Sequence, residues 1–528
     1  MDRDEGPSRT TLTPPLASLL RPEAYPHPVE AVRLIETHIS WVFLTGKRAY
    51  KVKKPVQFPF VDLRSSERRA FFCQEEVRLN RRFAPGLYLD VCEIMQDGAH
   101  ARIGGKGRVI DHAVCMLQFR TEEELDKLLA NESVEPNELA LFGRDLAALY
   151  RQLPVAADQA EWGRAERIEA ALWRNFEECA EAATSLDQRE AISALRAAFG
   201  SALQASTSAM RSRRAAGHVR EVHGDLHARN VVRHAGRLIA FDCMEFEPEF
   251  RWIDVAADVA FLFMDIEARR HPCHAQAFRG GYLFEDGDYD ACRVLRIYSA
   301  HAALVRAKVA ALEVTGESLQ STRERRLADF QLYLACAERM LAPARPSVII
   351  TSGLSGAGKT WLAQQLAPKL GAVHVRSDIE RKRMGALKEQ QRSHSAVGQG
   401  LYSQATSALV YQRLSTCARV ALEGGCSVIV DATFQRAADR AQIHAVASAR
   451  GVAAYLVRCH APTAVLRARI AARGQAATDA SEADAEVLQQ QIECFETVSG
   501  GEGFTVIDAD TTQAGVVDLV LGSLMARS

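Results

Sequence analysis

SVIITSGLSGAGKTWLAQQLAPKL, Ser347 to Leu370, joins a strand pattern, a glycine-rich turn and a helix pattern in one contiguous run. SVIITSG is β-branched and apolar, as a buried strand is, and WLAQQLAPKL repeats its apolar residues with a helical period. Between them GLSGAGKT satisfies G-x-x-x-x-G-K-[ST]. Glycines let such a turn curl until successive N–H groups face phosphate oxygens, and the helix that follows adds the positive end of its dipole. The expected ATP-binding set is Gly353, Leu354, Ser355, Gly356, Ala357, Gly358, Lys359 and Thr360. In it Lys359 reaches the β- and γ-phosphates and the Thr360 hydroxyl ligates Mg²⁺.

Downstream, CSVIVDATF and AAYLVRCHA are two more buried-strand patterns separated by helical stretches, the alternation of an α/β domain with a parallel sheet. Asp431 ends one of these strands, where a carboxylate organises Mg²⁺, but Ala432 follows it. An ATP-hydrolysing machine generally carries a second carboxylate there, so its absence favours transfer to a substrate. In RSDIERKRM, Asp378 is a candidate base and Arg381, one helical turn on, a candidate substrate clamp. An N-cap aspartate opening a basic surface helix would read the same way. Arg469 and Arg473 lie at i and i+4 before GQAATDASEAD, which suits a lid bringing arginines to transferring phosphate, or a plain solvated face.

This segment, about 346 to 528, resembles the P-loop small-molecule kinases related to gluconate kinase, zeta toxin and the 5′-end kinase of polynucleotides. GLSGAGKT, VRSDIER and VIVDATF carry the resemblance. It implies that Asp378 is the catalytic base.

Upstream, HGDLHARN sets Asp225 and Asn230 at the spacing of a kinase catalytic loop, with Asp225 to accept the acceptor hydroxyl proton and Asn230 to bind Mg²⁺. VVRHAGRLIAF reads as a hairpin turning near Gly236, which returns Asp242 beside Asn230 as a second Mg²⁺ ligand. WVFLTGKRAYKVKK reads as two β-runs around Gly46, and SSERRAFFCQEEVRLNRRF as a helix. Lys51 and Lys53 share one face of their strand, and the pair expected to orient nucleotide phosphate is Lys53 with Glu76.

The span from about 30 to 340 resembles the aminoglycoside phosphotransferase and choline kinase family, through HGDLHARN, FDCMEF and Asp258, which matches a buried aspartate supporting the catalytic loop. The resemblance implies an α+β, protein-kinase-like, two-lobed domain. The phosphate-covering loop departs from the family, with Gly46 its only glycine. The order of the two segments resembles a bacterial fusion of an aminoglycoside phosphotransferase-like domain with an AAA-type or P-loop ATP-binding domain.

At 528 residues the chain is too long for one ordinary domain. The division expected is a tail at 1–29, a first domain at 30–340, a linker at 341–346 within LAPARPS, and a P-loop domain at 347–528. A net charge of −1 argues against a protein whose main work is coating nucleic acid, although a local basic patch is allowed. No secretory signal or bilayer-length apolar stretch is present, so a cytoplasmic protein without a membrane partner is expected. His271, Cys273 and His274 are too tightly spaced for a metal site.

The function expected is an ATP- and Mg²⁺-dependent phosphotransferase with two candidate kinase sites acting on small hydroxylated substrates. One alternative is a nucleotide-binding regulator with an inactive first lobe. Another is a nucleic-acid 5′-end kinase, suggested by Arg376, Arg381, Lys382, Arg383, Lys388 and Arg392. The sequence specifies no oligomeric state.

Overall fold

The computed structural model describes residues 12, 14–58, 61–314, 320–387, 391, 403–476 and 484–526. The chain forms two compact units. One is the chain up to His271 together with Ile297–Leu341; the other is Pro272–Arg296 together with the chain from Ala342 onward. The expected order of an α+β unit and then an α/β unit with a parallel sheet is the order observed.

In the first unit six antiparallel strands form one sheet: β1 (Arg33–Glu36), β2 (Ser40–Leu44), β3 (Arg48–Lys53), β4 (Tyr88–Asp97), β5 (His100–Ile103) and β6 (Arg108–Leu117). Their spatial order is β1-β2-β3-β6-β4-β5. The two-residue period of the strands divides their side chains cleanly. Trp41 and Phe43 of β2 face Val52 and Tyr50 of β3 in register, and all four are buried on one side of the sheet. Ser40 and Val42 pair with Lys53 and Lys51 on the other side, where the helix Ser66–Phe83 packs.

The apolar side needs a cover, and residues expected to be a tail supply it. Leu16, Leu19 and Tyr25 are buried against Trp41 and Tyr50, and the Tyr25 hydroxyl donates to the Leu19 carbonyl at 2.5 Å. Burying each such side chain stabilises by roughly 1.5–3 kcal/mol, which outweighs the chain entropy of a short segment rich in proline.

The helix Ser66–Phe83 starts where Ser65 caps it, its side chain accepting from the Arg68 N–H at 3.3 Å. Further on, β7 (Val231–His234) and β8 (Arg237–Ala240) form the expected hairpin. Its turn residues Ala235 and Gly236 both have positive φ, 48° and 76°, the geometry that matches strand twist.

Among the described residues the second unit has five parallel strands: β9 (Ser347–Ser352), β10 (Val373–Arg376), β11 (Val428–Asp431), β12 (Ala453–His460) and β13 (Thr505–Asp510), in the order β10-β11-β9-β12-β13. The helix Lys359–Leu370 returns from β9 and buries Leu362, Ala363 and Leu366 against Ile349 and Tyr455. Residues 272–296 lie inside the 30–340 range read from sequence as one domain, yet they cluster with this unit. Arg279 donates to the Gly371 carbonyl at 2.9 Å, and the Tyr289 hydroxyl to Glu380 at 3.1 Å. Among the described residues no helix is long and apolar enough to cross a membrane.

Candidate active sites

In the first unit the loop from His223 to Asn230 hangs on Asp258, which is buried and accepts the backbone N–H groups of His223 and Gly224 at 3.0 Å each and the Tyr150 hydroxyl at 2.5 Å. His223 is buried too, and burial holds its pKa below the ordinary value, so the ring is neutral. Its Nε2 lies 2.8 Å from the Phe241 carbonyl, which can only accept, so Nε2 carries the proton and Nδ1 accepts from the Asp225 N–H at 3.3 Å. The loop is therefore tied at both ends of HGD before any substrate arrives.

Asn230 Nδ2 donates to the backbone oxygen of Asp225 at 2.9 Å and to its carboxylate at 3.2 Å. The Asn230 carbonyl accepts the Phe241 N–H at 2.9 Å, so the hairpin sets Asp242 one residue past Asn230's backbone partner. Asp242 has φ 63°, a left-handed conformation, and its N–H donates to the Tyr88 hydroxyl at 3.1 Å. The surrounding protein lifts the Asp225 carboxyl to about 7; burial is the chief cause, Asp242 and Asp258 add to it, and Arg306 opposes it.

Lys53 and Glu76 meet at 2.7 Å, and both side chains are fully buried. Lys53 also contacts Glu245 at 2.5 Å. Lys51 reaches the other oxygen of Glu76 at 2.9 Å and Asp242 at 2.6 Å, and it retains some exposure. Of the two lysines on this face, Lys51 is the one that joins the helix glutamate to Asp242. The glycine expected to cover phosphate lies elsewhere: Gly46 turns β2 into β3, at the end of the hairpin away from Ser40 and Lys53. The turn at the lysine end is instead that between β1 and β2, closed by Thr37, whose N–H donates to the Ser40 carbonyl at 2.9 Å.

Beside Asp225 opens a cavity of about 440 Å³, walled by the helix Ala165–Ala182, the segment from Phe250 to Phe261, and residues from Tyr298 to Lys308.

In the second unit Gly353, Gly356 and Gly358 have φ of 145°, 82° and 80°. A Cβ at Gly353 would lie 2.2 Å from the Cys459 carbonyl oxygen, and one at Gly356 would lie 2.8 Å from that of Leu466. Both glycines are thus required by backbone conformation and by close approach. Lys359 Nζ donates to the Leu354 carbonyl at 2.8 Å across the loop, and Thr360 hydrogen-bonds to Asp431.

Parallel register aligns Thr351, Asp431 and Arg376 across three strands. Thr351 donates to Asp431 at 3.1 Å, and His374 Nε2 lies 3.3 Å from its other oxygen. Burial pushes the Asp431 carboxyl up, but His374, Arg376 and Thr360 hold it well below the usual carboxylate range.

Asp378 lies in the first turn of the helix Ser377–Met384, half-buried, and Arg381 is buried with Nη1 3.3 Å from the Ser407 hydroxyl. Arg469 donates to the Gly356 carbonyl at 3.2 Å and to the Thr511 hydroxyl and carbonyl at 2.8 and 3.1 Å, so its guanidinium ties the glycine-rich loop to Thr511. The side chain of Arg473, and Lys388 and Arg392, lie outside the described residues.

Residues 47–295 match the family model described as the phosphotransferase enzyme family, and residues 348–498 match that described as the AAA domain. Two family models thus match separate stretches of the chain. An uncharacterized protein of Mycobacterium tuberculosis is 28% identical over 459 residues, spanning 86% of this chain and 89% of its own length. Among solved structures, a choline/ethanolamine kinase family protein from Mesorhizobium loti is 12% identical, with 60% of this chain and 94% of its own covered and a TM-score of 0.31. A gluconokinase from Sinorhizobium meliloti is 18% identical, with 35% and 99% covered and a TM-score of 0.24.

Three groups in these two domains escaped the sequence reading. In the phosphotransferase domain, Glu245 closes the buried cluster around Lys53; a glutamate three residues past Asp242 carries no local signal for that. In the P-loop domain, Glu380 is fully buried between Tyr289 and Arg413, at 3.1 and 3.0 Å. There too the buried Gln491 accepts the Ser355 N–H at 2.8 Å, holding one of the loop's amides.

Proposed function

We propose that this phosphotransferase-family chain carries two ATP-dependent phosphoryl-transfer sites, one in each domain, acting on small hydroxylated acceptors. The observation that carries the reading is the cleft in which Lys51 joins Glu76 to Asp242 while Asp225 is held by Asn230. In the first site the acceptor hydroxyl passes its proton to Asp225 as its oxygen attacks the γ-phosphorus. The bond from that phosphorus to the β-phosphate oxygen breaks, and ADP leaves. Lys51 orients the phosphates, while Lys53, fully buried, anchors Glu76 from beneath.

In the second site the loop amides and Lys359 hold the nucleotide, Asp378 is the base and Arg381 grips the acceptor. Arg469 keeps the loop in shape by its bond to the Gly356 carbonyl.

The donors available suit Mg²⁺. Asn230 spends its NH₂ on Asp225 and so keeps its side-chain carbonyl oxygen for a cation, and the hairpin returns Asp242 one residue past Asn230's backbone partner. Among the described residues no three His, Cys, Asp or Glu side chains converge on a metal cage, and Mg²⁺ prefers one or two protein oxygens with water and phosphate. Asn230 and Asp242 would hold it in the first site, Thr360 and Asp431 in the second. Bound there, it neutralises phosphate charge.

The basic residues that suggested nucleic acid as acceptor are largely drawn inward. Arg376 faces Asp431, Arg381 and Lys382 are buried, and Arg383 bonds to Glu380. This favours a small acceptor. The test is γ-labelled ATP with a metabolite extract, comparing wild type with Asp225→Asn and Lys359→Ala. Each variant should lose its own set of labelled products. Products that survive Asp225→Asn in full would return the first domain to the role of nucleotide-binding regulator.

A further inference from the structure

The cavity beside Asp225 carries information about its ligand, on the reading that Asp225 is the base of the first site. At about 440 Å³ it suits a single metabolite-sized molecule. Several carboxylates line it, which on a simple count invites a cation. Apart from Asp225 itself, each already has partners of its own. Asp254 is gripped by the Arg213 guanidinium at 2.8 and 2.9 Å, and Asp258 by two backbone N–H groups. Glu178 pairs with Lys308 at 2.7 Å, Glu249 with Arg167 at 3.2 Å, and Glu161 with Arg164 at 3.0 Å. The exposed rim adds Arg174, which repels a cation.

Two polar groups set deep in the wall are uncharged and unsatisfied. Asn175 and Tyr298 are 6% and 4% exposed, and among the described residues neither Asn175 Oδ1 nor the Tyr298 hydroxyl has a hydrogen-bond partner. Asn175 Nδ2 lies 3.4 Å from His301 Nδ1, so whichever way the amide is turned, one of its ends is left over. Burial lowers His301 to about 4, which keeps that ring neutral. Buried polar atoms are normally paired, and two orphans on one cavity wall point to groups that a ligand completes. Trp162, Phe250, Trp252 and Phe261 supply the apolar remainder.

We propose that the first site phosphorylates an uncharged, hydroxyl-bearing molecule with an apolar or aromatic face, the chemistry shared by nucleosides and aryl glycosides, held by Asn175 and Tyr298. Its hydroxyl oxygen bonds to the γ-phosphorus of ATP, the bond to the β-phosphate oxygen breaks, Asp225 takes the proton and ADP departs. Polycationic aminocyclitols and quaternary-ammonium alcohols are rejected.

The experiment uses the full chain carrying Lys359→Ala, to silence the second site, with Mg-ATP and four acceptor panels: nucleosides, aryl glycosides, aminocyclitols and quaternary-ammonium alcohols. Products are read by mass. One or both uncharged panels should gain phosphate, and Asp225→Asn should abolish the gain. Tyr298→Phe, which keeps the ring and hence the fold, should raise KM for the acceptor about tenfold per lost hydrogen bond, with kcat nearly unchanged. Asn175→Leu should act in the same direction. Lys308→Met, by exposing Glu178, should admit cationic acceptors that wild type refuses. Phosphate on the cationic panels alone, lost in Asp225→Asn, overturns the acceptor class and leaves the kinase reading standing. A Tyr298→Phe variant with unchanged KM overturns the binding role. No phosphorylation of any panel, in wild type as in Asp225→Asn, overturns both readings.

Discussion

Lys51 Nζ lies 2.6 Å from Asp242 and 2.9 Å from Glu76, whereas its neighbour Lys53, on the same face of the same strand, contacts Glu76 and Glu245 and is sealed from solvent. Two lysines two residues apart thus have different work, and substitutions should separate them. Lys51→Met should lower kcat of the first site by about 10²- to 10³-fold, as loss of a preorganised charge does, with little change in stability. Lys53→Met strips the buried Glu245 of its cation and leaves Glu76 with Lys51 alone, and it should destabilise the domain by about 3–5 kcal/mol. Steady-state kinetics and urea unfolding of the two variants check this; a kinetic defect from Lys53→Met in a fully stable protein contradicts the assignment.

If Asp225 is the base proposed above, its carboxyl governs how the first site responds to pH. Its pKa rises from 3.8 to about 7, so the folded protein holds this proton more tightly than the unfolded chain. The stability it contributes is complete below pH 3.8 and is lost as pH rises through about 7. Activity runs the other way, because only the carboxylate accepts a proton. The rate of the first site should climb to a plateau above pH 7, while Asp225→Asn gains melting temperature relative to wild type between pH 5 and 8. Parallel pH–rate and thermal-unfolding series measure both.

Gly353→Ala would place a methyl group 2.2 Å from the Cys459 carbonyl at φ 145°. Strain of this kind costs about 1–3 kcal/mol where it is tolerated at all. Titration calorimetry with a non-hydrolysable ATP analogue should fall from two binding sites to one, with the first-domain site unaltered.

Arg469 makes three hydrogen bonds in a fixed fork, to Gly356 and twice to Thr511. Arg469→Ala should raise KM for ATP at the second site by about tenfold or more, since hydrogen bonds from a charged group contribute about 1.5–3 kcal/mol each. Lysine has no planar fork, so Arg469→Lys should rescue little. Arg469→Lys kinetics indistinguishable from wild type would show that the guanidinium geometry is not what matters.

Much of the architecture was legible because its signals are local. GLSGAGKT needs only its own glycines, a strand before it and a helix after it, and all of these lie within one short run. The hairpin that returns Asp242 beside Asn230 is likewise closed by its own turn at Ala235 and Gly236. The covering role of Leu16 and Leu19 was hidden, because a few apolar residues among prolines look like a tail until the sheet face they bury is known.

The chain's letters alone determined the HGDLHARN and GLSGAGKT motifs, their order and the strand–helix alternation around the second, since short-range sterics and periodicity write these directly into sequence. Tertiary structure decided which charged groups work together. Lys51 meets Asp242 across 191 positions, Lys53 meets Glu245 across 192, and Ser355 meets Gln491 across 136. A buried ion pair or an amide held by a distant side chain is favourable only once packing excludes water around both partners, and no local pattern encodes that exclusion. For the same reason the acids around Asp225 find their partners only in the folded wall.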